Sequence, residues 1–295
     1  MLLWKHHIWR FGRTTVAAGQ MMLRHEAPRD AAGISYFTIM ALFPAILVII
    51  AVVDLFLGRM EWHSTVVENI VDLFPGSNQF VRSNLAEITT PSTAGIVSCV
   101  VVVLWAASWI FSFIESSINR AWDIPNQRTF WESRLRTIAL LALGSVSLLG
   151  SAGLTTFVSA ARARAATHIN LGDSAAAADF IGWFWYVVLL GAGVLVAVFV
   201  FAVTYKWTPH CKVFWRDAFA SAIVAAIMWE IAGYIFVKVV PLFDYQQVYG
   251  RMGTVIALLA WVYTSNMILL FGANFCSQRH WIRAEASAPE FFHGK

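Results

Sequence analysis

YGRMGTVIALLAWVYTSNMILLFGAN, residues 249 to 274, places a glycine-punctuated polar turn directly before a long run without charge. That run, Thr254 to Asn274, is about 21 residues, and at ~1.5 Å rise per residue it spans the ~30 Å hydrocarbon core of a bilayer. It reads as a membrane helix. Five similar runs precede it, at 31–58, 94–114, 137–160, 181–203 and 217–237. The expected fold is all-α: a polytopic membrane protein with six transmembrane helices.

Composition agrees, since 59% of the 295 residues are hydrophobic and only 13% are charged, about half the charged share of a soluble domain. Fourteen Trp and seven Tyr, many at the edges of apolar runs, suit the headgroup level, where amphipathic rings settle. The three cysteines, Cys99, Cys211 and Cys276, lie far apart with no CxxC or CxxH spacing. Neither a disulfide framework nor a zinc site is expected. The N-terminus lacks the short apolar core and small-residue cleavage site of a secretory signal.

Around the six runs, residues 1–30 interleave Lys5, Arg10, Arg13, Arg24 and Arg29 with Trp4, Ile8, Phe11, Val16 and Met22, a pattern for helix lying in the interface plane. A solvated basic tail is the alternative. The connection 59–93 is about 35 residues, long enough to hold short helices of its own. Residues 277–295 are read as a tail. With the N-terminus inside, about fifteen Lys and Arg fall on the inner side and about six outside, so both termini are expected in the cytoplasm.

Within the first run, Pro44 removes one backbone hydrogen bond and is expected to kink the helix. In the second, Ser98, Trp105, Ser108, Ser112, Ser116 and Asn119 fall within about 80° of arc and should face other helices. Small residues between Gly144 and Gly153 suit close helix approach in the third. In the sixth, Thr254, Trp261, Ser265 and Gly272 fall within about 40° and should pack inside the bundle.

Four stretches together resemble the YihY/BrkB family of membrane proteins: ISYFTIMALFPAIL (34–47), LWAASWIFSFIESSINRAWDI (104–124), WRDAFASAIVAAIMW (215–229) and the opening run, with Tyr249, Gly250, Gly253, Trp261, Tyr263, Gly272 and Ala273 in register. The resemblance covers roughly residues 15 to 280 and implies a six-span bacterial inner-membrane protein. Members have carried the labels ribonuclease BN and serum-resistance factor, and some are suspected of moving lipids or lipid-linked precursors. The family usually has an acid directly after the Gly-Ala pair, where this chain has Asn274; an amide can orient or bridge but cannot titrate.

A substrate pathway is expected along Glu230, Tyr234, Lys238, Ser108, Ser112, Trp261, Ser265 and Asn274. Glu230, about thirteen residues into an apolar run, must face a cavity, pair, or take up a proton; a structural hydrogen bond between helices is the plainer account. Tyr234 and Lys238 follow at i+4 and i+8. Asp54 has an ordinary place at the outer interface. At the inner mouth, Glu115, Asn119, Arg120, Arg128, Arg134 and Arg136 are headgroup candidates, the guanidinium fork being suited to an anionic headgroup. Pairing of Arg120 with Asp123, three residues on, is the alternative, and positive-inside alone also produces a basic rim. Tyr249, Gly250, Arg251 and Gly253 form a gate-like outer turn or an ordinary loop.

The expected function is transport or flipping of a lipid-like, anionic amphipathic substrate; the alternative is a non-transporting scaffold for envelope machinery. No GxxxxGK[ST] P-loop is present, so energy must come from an ion gradient, a partner or the substrate's own gradient. The eight His, at 6, 7, 25, 63, 168, 210, 280 and 293, show no HxHxDH or HExxH spacing. Neither nuclease chemistry, a catalytic residue, a metal nor a cofactor is therefore expected. Expected partners are membrane lipids and either a second copy or an envelope protein, with no nucleic acid.

Overall fold

The computed structural model describes residues 2–57, 93–124, 175–240, 249 and 252–287. These form six helices: α1 (Leu2–Arg24), α2 (Ala27–Leu57), α3 (Thr93–Ala121), α4 (Ala175–Trp207), α5 (Trp215–Val239) and α6 (Gly253–Ser287). The expected third span, the connection 59–92, and Arg128, Arg134, Arg136, Gly250 and Arg251 lie outside the described residues.

Among the described residues, four stretches are long and apolar enough to cross a membrane: Ala27–Ile49, Ala94–Ala121, Trp215–Val239 and Val255–Ala284. A shorter apolar stretch, Gly193–Trp207, belongs to α4. The Ala94–Ala121 stretch has a mean hydropathy of 2.3, yet only 6% of its most apolar window is buried. An apolar surface so little covered by protein needs a nonaqueous solvent around it. The helices therefore form a polytopic membrane bundle.

α6 packs against all five other described helices. It can approach them closely because small residues lie at the contacts. A Cβ on Gly272 would collide with the Tyr205 hydroxyl and stand 2.7 Å from its Cζ. Tyr205 lies there almost fully buried and donates its hydroxyl to the Leu269 carbonyl at 3.0 Å. On the next turns back, Trp261 is buried and Ser265 Oγ accepts from Trp229 Nε1 at 3.1 Å. This face of α6 does pack inside the bundle.

α1 presents Thr14, Ala18 and Met22, spaced four apart and buried, toward the α6 side, where Phe11 meets Phe275 edge-on at 5.6 Å. Its larger apolar residues Val16 and Leu23 stay exposed. One stripe thus sits against protein and another apolar one is left outward, the division expected of a helix between a bundle and lipid.

The helices extend beyond the apolar runs read from the sequence, α3 to Ala121 and α4 from Ala175 to Trp207 among them, and two of these extensions bear on the site. α2 begins at Ala27 rather than residue 31, because Pro28 fits a helix first turn, where no amide donor is required. It then continues through Pro44 as one helix. α6 runs on to Ser287, well past the apolar run, because its polar end is held by α5 as described below.

Candidate functional site

The α3 stripe divides in two. Ser98 is exposed and donates to its own helix at Ala94 O, 3.0 Å away, so it needs no neighbouring helix. Trp105, also exposed, meets the Phe37 ring of α2 edge-on at 5.6 Å. At the other end Ser112, Ser116 and Arg120, four apart, line a cavity of 470 Å³ together with Arg24, His25, Glu26, Arg29, Asp30, Trp109 and Phe113.

One wall of this cavity is ionic. Arg120 Nη2 donates to Asp30 Oδ2, and its Nη1 donates to Ser116 Oγ at 3.0 Å. The Asp30 side chain is only 9% exposed, whereas that of Arg120 is 42% exposed. Arg29 pairs with Glu26 at 3.0 Å. The three guanidinium groups and two carboxylates of this wall leave one positive charge in excess. The other wall is aromatic: Trp109 stacks on Phe37 with centroids 5.7 Å apart, and Phe113 lies 6.4 Å from Trp109. Gly33 lets Phe113 come this close, since a Cβ there would stand 3.1 Å from its Cζ.

The expected alternative, Arg120 paired with Asp123, is not what forms. Helix α3 ends after Ala121, and Ile124 N–H returns to Asn119 O at 3.1 Å. Asp123 adopts φ 52° in that reversal and leaves the i+3 position, reaching His25 Nε2 at 3.4 Å instead. Glu26, on the cavity rim, also has a left-handed backbone, with φ 55°. Non-glycine residues in this region cost of order 1–3 kcal/mol and tend to cluster at functional sites.

Glu115 and Asn119 do not line the cavity. They lie on the adjoining face of α3, and both meet His210 in the turn between α4 and α5. Glu115 Oε1 is 2.8 Å from His210 Nε2, and Asn119 Nδ2 is 3.1 Å from the same nitrogen. The backbone N–H of His210 donates to Asn119 Oδ1 at 3.0 Å. The His210 and Glu115 side chains are 9% and 12% exposed. In the same turn, burial pushes the Cys211 thiol above its usual range.

A third polar centre joins α5 to the end of α6. Asp217 is fully buried at the start of α5 and pairs through Oδ1 with Arg279 at 3.2 Å and with Arg283. His280 Nδ1 stands 3.7 Å from Oδ2.

The expected pathway residues are not gathered into the cavity. Glu230 is half-buried, while Tyr234 and Lys238 are exposed on the same flank of α5, with Lys238 Nζ 5.9 Å from the Tyr234 ring. Tyr249 is exposed and Gly253 buried. Asn274 is buried, its Nδ2 donating to Leu270 O at 2.9 Å and its Oδ1 without a hydrogen-bond partner among the described residues. Of the named candidates, Ser112 and Arg120 reach the cavity. Sequence reasoning missed Asp30, His210 and Asp217 as partners, and gave Arg279 and Arg283 no role. Among the described residues no group of three or more His, Cys, Asp or Glu is placed to hold a metal ion.

A family model described as "Virulence factor BrkB" matches residues 18–290. Among curated proteins, a UPF0761 membrane protein of Pseudomonas paraeruginosa is 29% identical over 90% of this chain and 63% of its own length. A protein named "Putative ribonuclease-like protein YfkH" from Bacillus subtilis is 25% identical over 87% of this chain and 91% of its own. A UPF0761 membrane protein of Aeromonas salmonicida is 26% identical over 85% and 83%. The chain thus spans less than two thirds of the length of the Pseudomonas relative. No solved structure matches.

Proposed function

This chain belongs to the BrkB family of membrane proteins, and from that premise we propose that it moves an anionic, lipid-like amphipath between the bilayer and the cavity beside Arg120. The observation that carries this reading is the cavity's division into an ionic wall and an aromatic wall. A phosphate or similar headgroup matches the guanidinium forks of Arg24, Arg29 and Arg120, which favour planar, two-point recognition. A hydrocarbon chain matches Trp109 and Phe113 and the lipid-facing surface of α3 beyond them. An anion reaching Arg120 competes with Asp30, so binding loosens the link between α2 and α3. That gives the substrate a direct effect on helix packing.

In this reading the cavity opens toward the cytoplasmic side of a bacterial inner membrane, with both termini inside, as the Lys and Arg distribution favours. It involves no bond cleavage, and no catalytic role is assigned to any residue. Family resemblance does not by itself carry function, so the reading rests on the site.

The test is lipid movement in liposomes containing the purified protein in verified orientation, with fluorescent phosphatidylglycerol followed by chemical quenching of the outer leaflet. Movement is expected with the wild type and should fall at least tenfold in Arg120→Ala, the loss of one charged hydrogen-bond pair. Absence of movement, with no binding of the same lipid to the detergent-solubilised protein, would sink the proposal and leave a scaffold role.

A further inference from the structure

We propose that Glu115 and His210, held by Asn119, form a proton-binding site coupled through α3 to the cavity on the adjoining face of that helix. It draws on the transport reading only for what the proton drives.

The argument begins with one nitrogen. Asn119 Oδ1 is identified as the carbonyl end of its amide because the His210 backbone N–H donates to it at 3.0 Å. Asn119 Nδ2 therefore points its hydrogens toward His210 Nε2, 3.1 Å away, and that contact needs a lone pair on Nε2. Glu115 Oε1, 2.8 Å from the same Nε2, needs an N–H there if the carboxylate is ionised. A ring nitrogen offers one or the other. With a proton on Glu115, its O–H points at Nε2, and Nε2 is an acceptor toward both neighbours. When that proton leaves to solvent, the neutral ring's own hydrogen moves from Nδ1 to Nε2 to serve the ionised Glu115, and Nε2 turns a donor against the Asn119 amide. The site has two hydrogen-bond arrangements, and one proton separates them.

The surrounding charges are engaged elsewhere. Lys206 donates to Val213 O and lies 5.5 Å from the Trp215 ring. Arg120 is held by Asp30 and Ser116, and Asp217 by Arg279 and Arg283. His280 leans to Asp217 and His25 to Asp123. Lys212 and Arg216 are exposed, and Cys211 stays a thiol.

Coupling follows from helix geometry. Glu115 and Asn119 each precede a cavity residue, Ser116 and Arg120, and successive residues are about 100° apart around the helix. Asn119 also accepts, through its backbone carbonyl, the N–H groups of Trp122 and Ile124 that end α3. A change in what holds the Asn119 side chain thus acts on the helix end that carries Arg120. Protonation adds positive charge beside an anion site, so anion affinity should rise as pH falls.

The probe is a short-chain phosphatidylglycerol, with its affinity for the solubilised full chain measured across about pH 5 to 9. Affinity should change by up to about tenfold per pH unit, the limit for one coupled proton. In Glu115→Gln and His210→Asn the slope should flatten. Survival of the whole slope in both variants overturns the proposal. A variant-independent check is ¹⁵N NMR of histidine-labelled protein, with His210 assigned by its loss in His210→Asn. Nε2 should pass from acceptor to N–H as pH rises, and one unchanging tautomer overturns the site. A Glu115-dependent slope in a protein that moves no lipid at any pH would refute transport while sustaining the proton site. Movement of lipid with the full slope kept in both variants would do the reverse.

Discussion

Removing Arg120 and removing Asp30 should have unequal consequences, although the two residues form one pair. Breaking a buried pair by deleting one partner costs about 3–5 kcal/mol, because the other charge is left uncompensated. Exposed pairs contribute under about 1 kcal/mol. This pair lies between those limits, since Asp30 is 9% and Arg120 is 42% exposed. Arg120→Ala strands a carboxylate that cannot reach solvent, and after discounting for the exposed partner the loss should be about 2 kcal/mol. Asp30→Asn strands a guanidinium that can turn outward and keeps an acceptor near it, so the loss should be about 1 kcal/mol or less. The double variant removes the stranded charge and should regain part of the Arg120→Ala loss. Unfolding in mixed micelles, titrated with denaturing detergent, measures all three. An Asp30→Asn loss as large as that of Arg120→Ala, or a double variant worse than either, would refute the assignment of Asp30 as the buried partner.

The other sites make their own predictions. Gly272→Ala should destabilise by about 1–3 kcal/mol through overpacking against Tyr205, and adding Tyr205→Phe should recover part of that loss in the same assay. Arg279→Ala and Arg283→Ala should each cost about 1 kcal/mol, because the remaining arginine still meets Asp217; the double variant should cost more than their sum, since Asp217 is fully buried. Asp123→Gly should stabilise by up to about 1 kcal/mol by relieving the left-handed backbone, and a loss of stability would mean that its contact with His25 outweighs the strain. Because burial raises the Cys211 thiol pKa, its thiolate is scarce at neutral pH and increases as pH rises. Maleimide labelling at Cys211 should therefore be slower than at an exposed thiol near pH 7 and should climb up to about tenfold per unit until the raised pKa is passed.

What the sequence made legible was whatever depends on local periodicity. The uncharged run of α6, the face carrying Gly272, Trp261 and Ser265, and the presence of Ser112 and Ser116 on one stripe of α3 all follow from counting residues along one helix. The partners of these residues do not, because a partner is set by which helices touch. By sequence Asp30 falls in the basic N-terminal segment, because the apolar run starts after it; yet α2 begins at Ala27, and Asp30 faces a residue 90 positions away. His210 looked like one of several scattered histidines, and only the return of the α4–α5 turn onto α3 brings it to Glu115. The end of α6 was lost for a related reason. A window for apolar runs stops at Asn274, whereas the helix is prolonged by Arg279 and Arg283 reaching one buried carboxylate on α5. Glu230 is a different case: its position in an apolar run makes it a candidate on the sequence alone, and the structure places it half-buried on the flank of α5 that it shares with exposed Tyr234 and Lys238. The buried carboxylates of Asp30, Glu115 and Asp217 are all groups whose burial depends on another helix, which is why one helix's periodicity could not single them out.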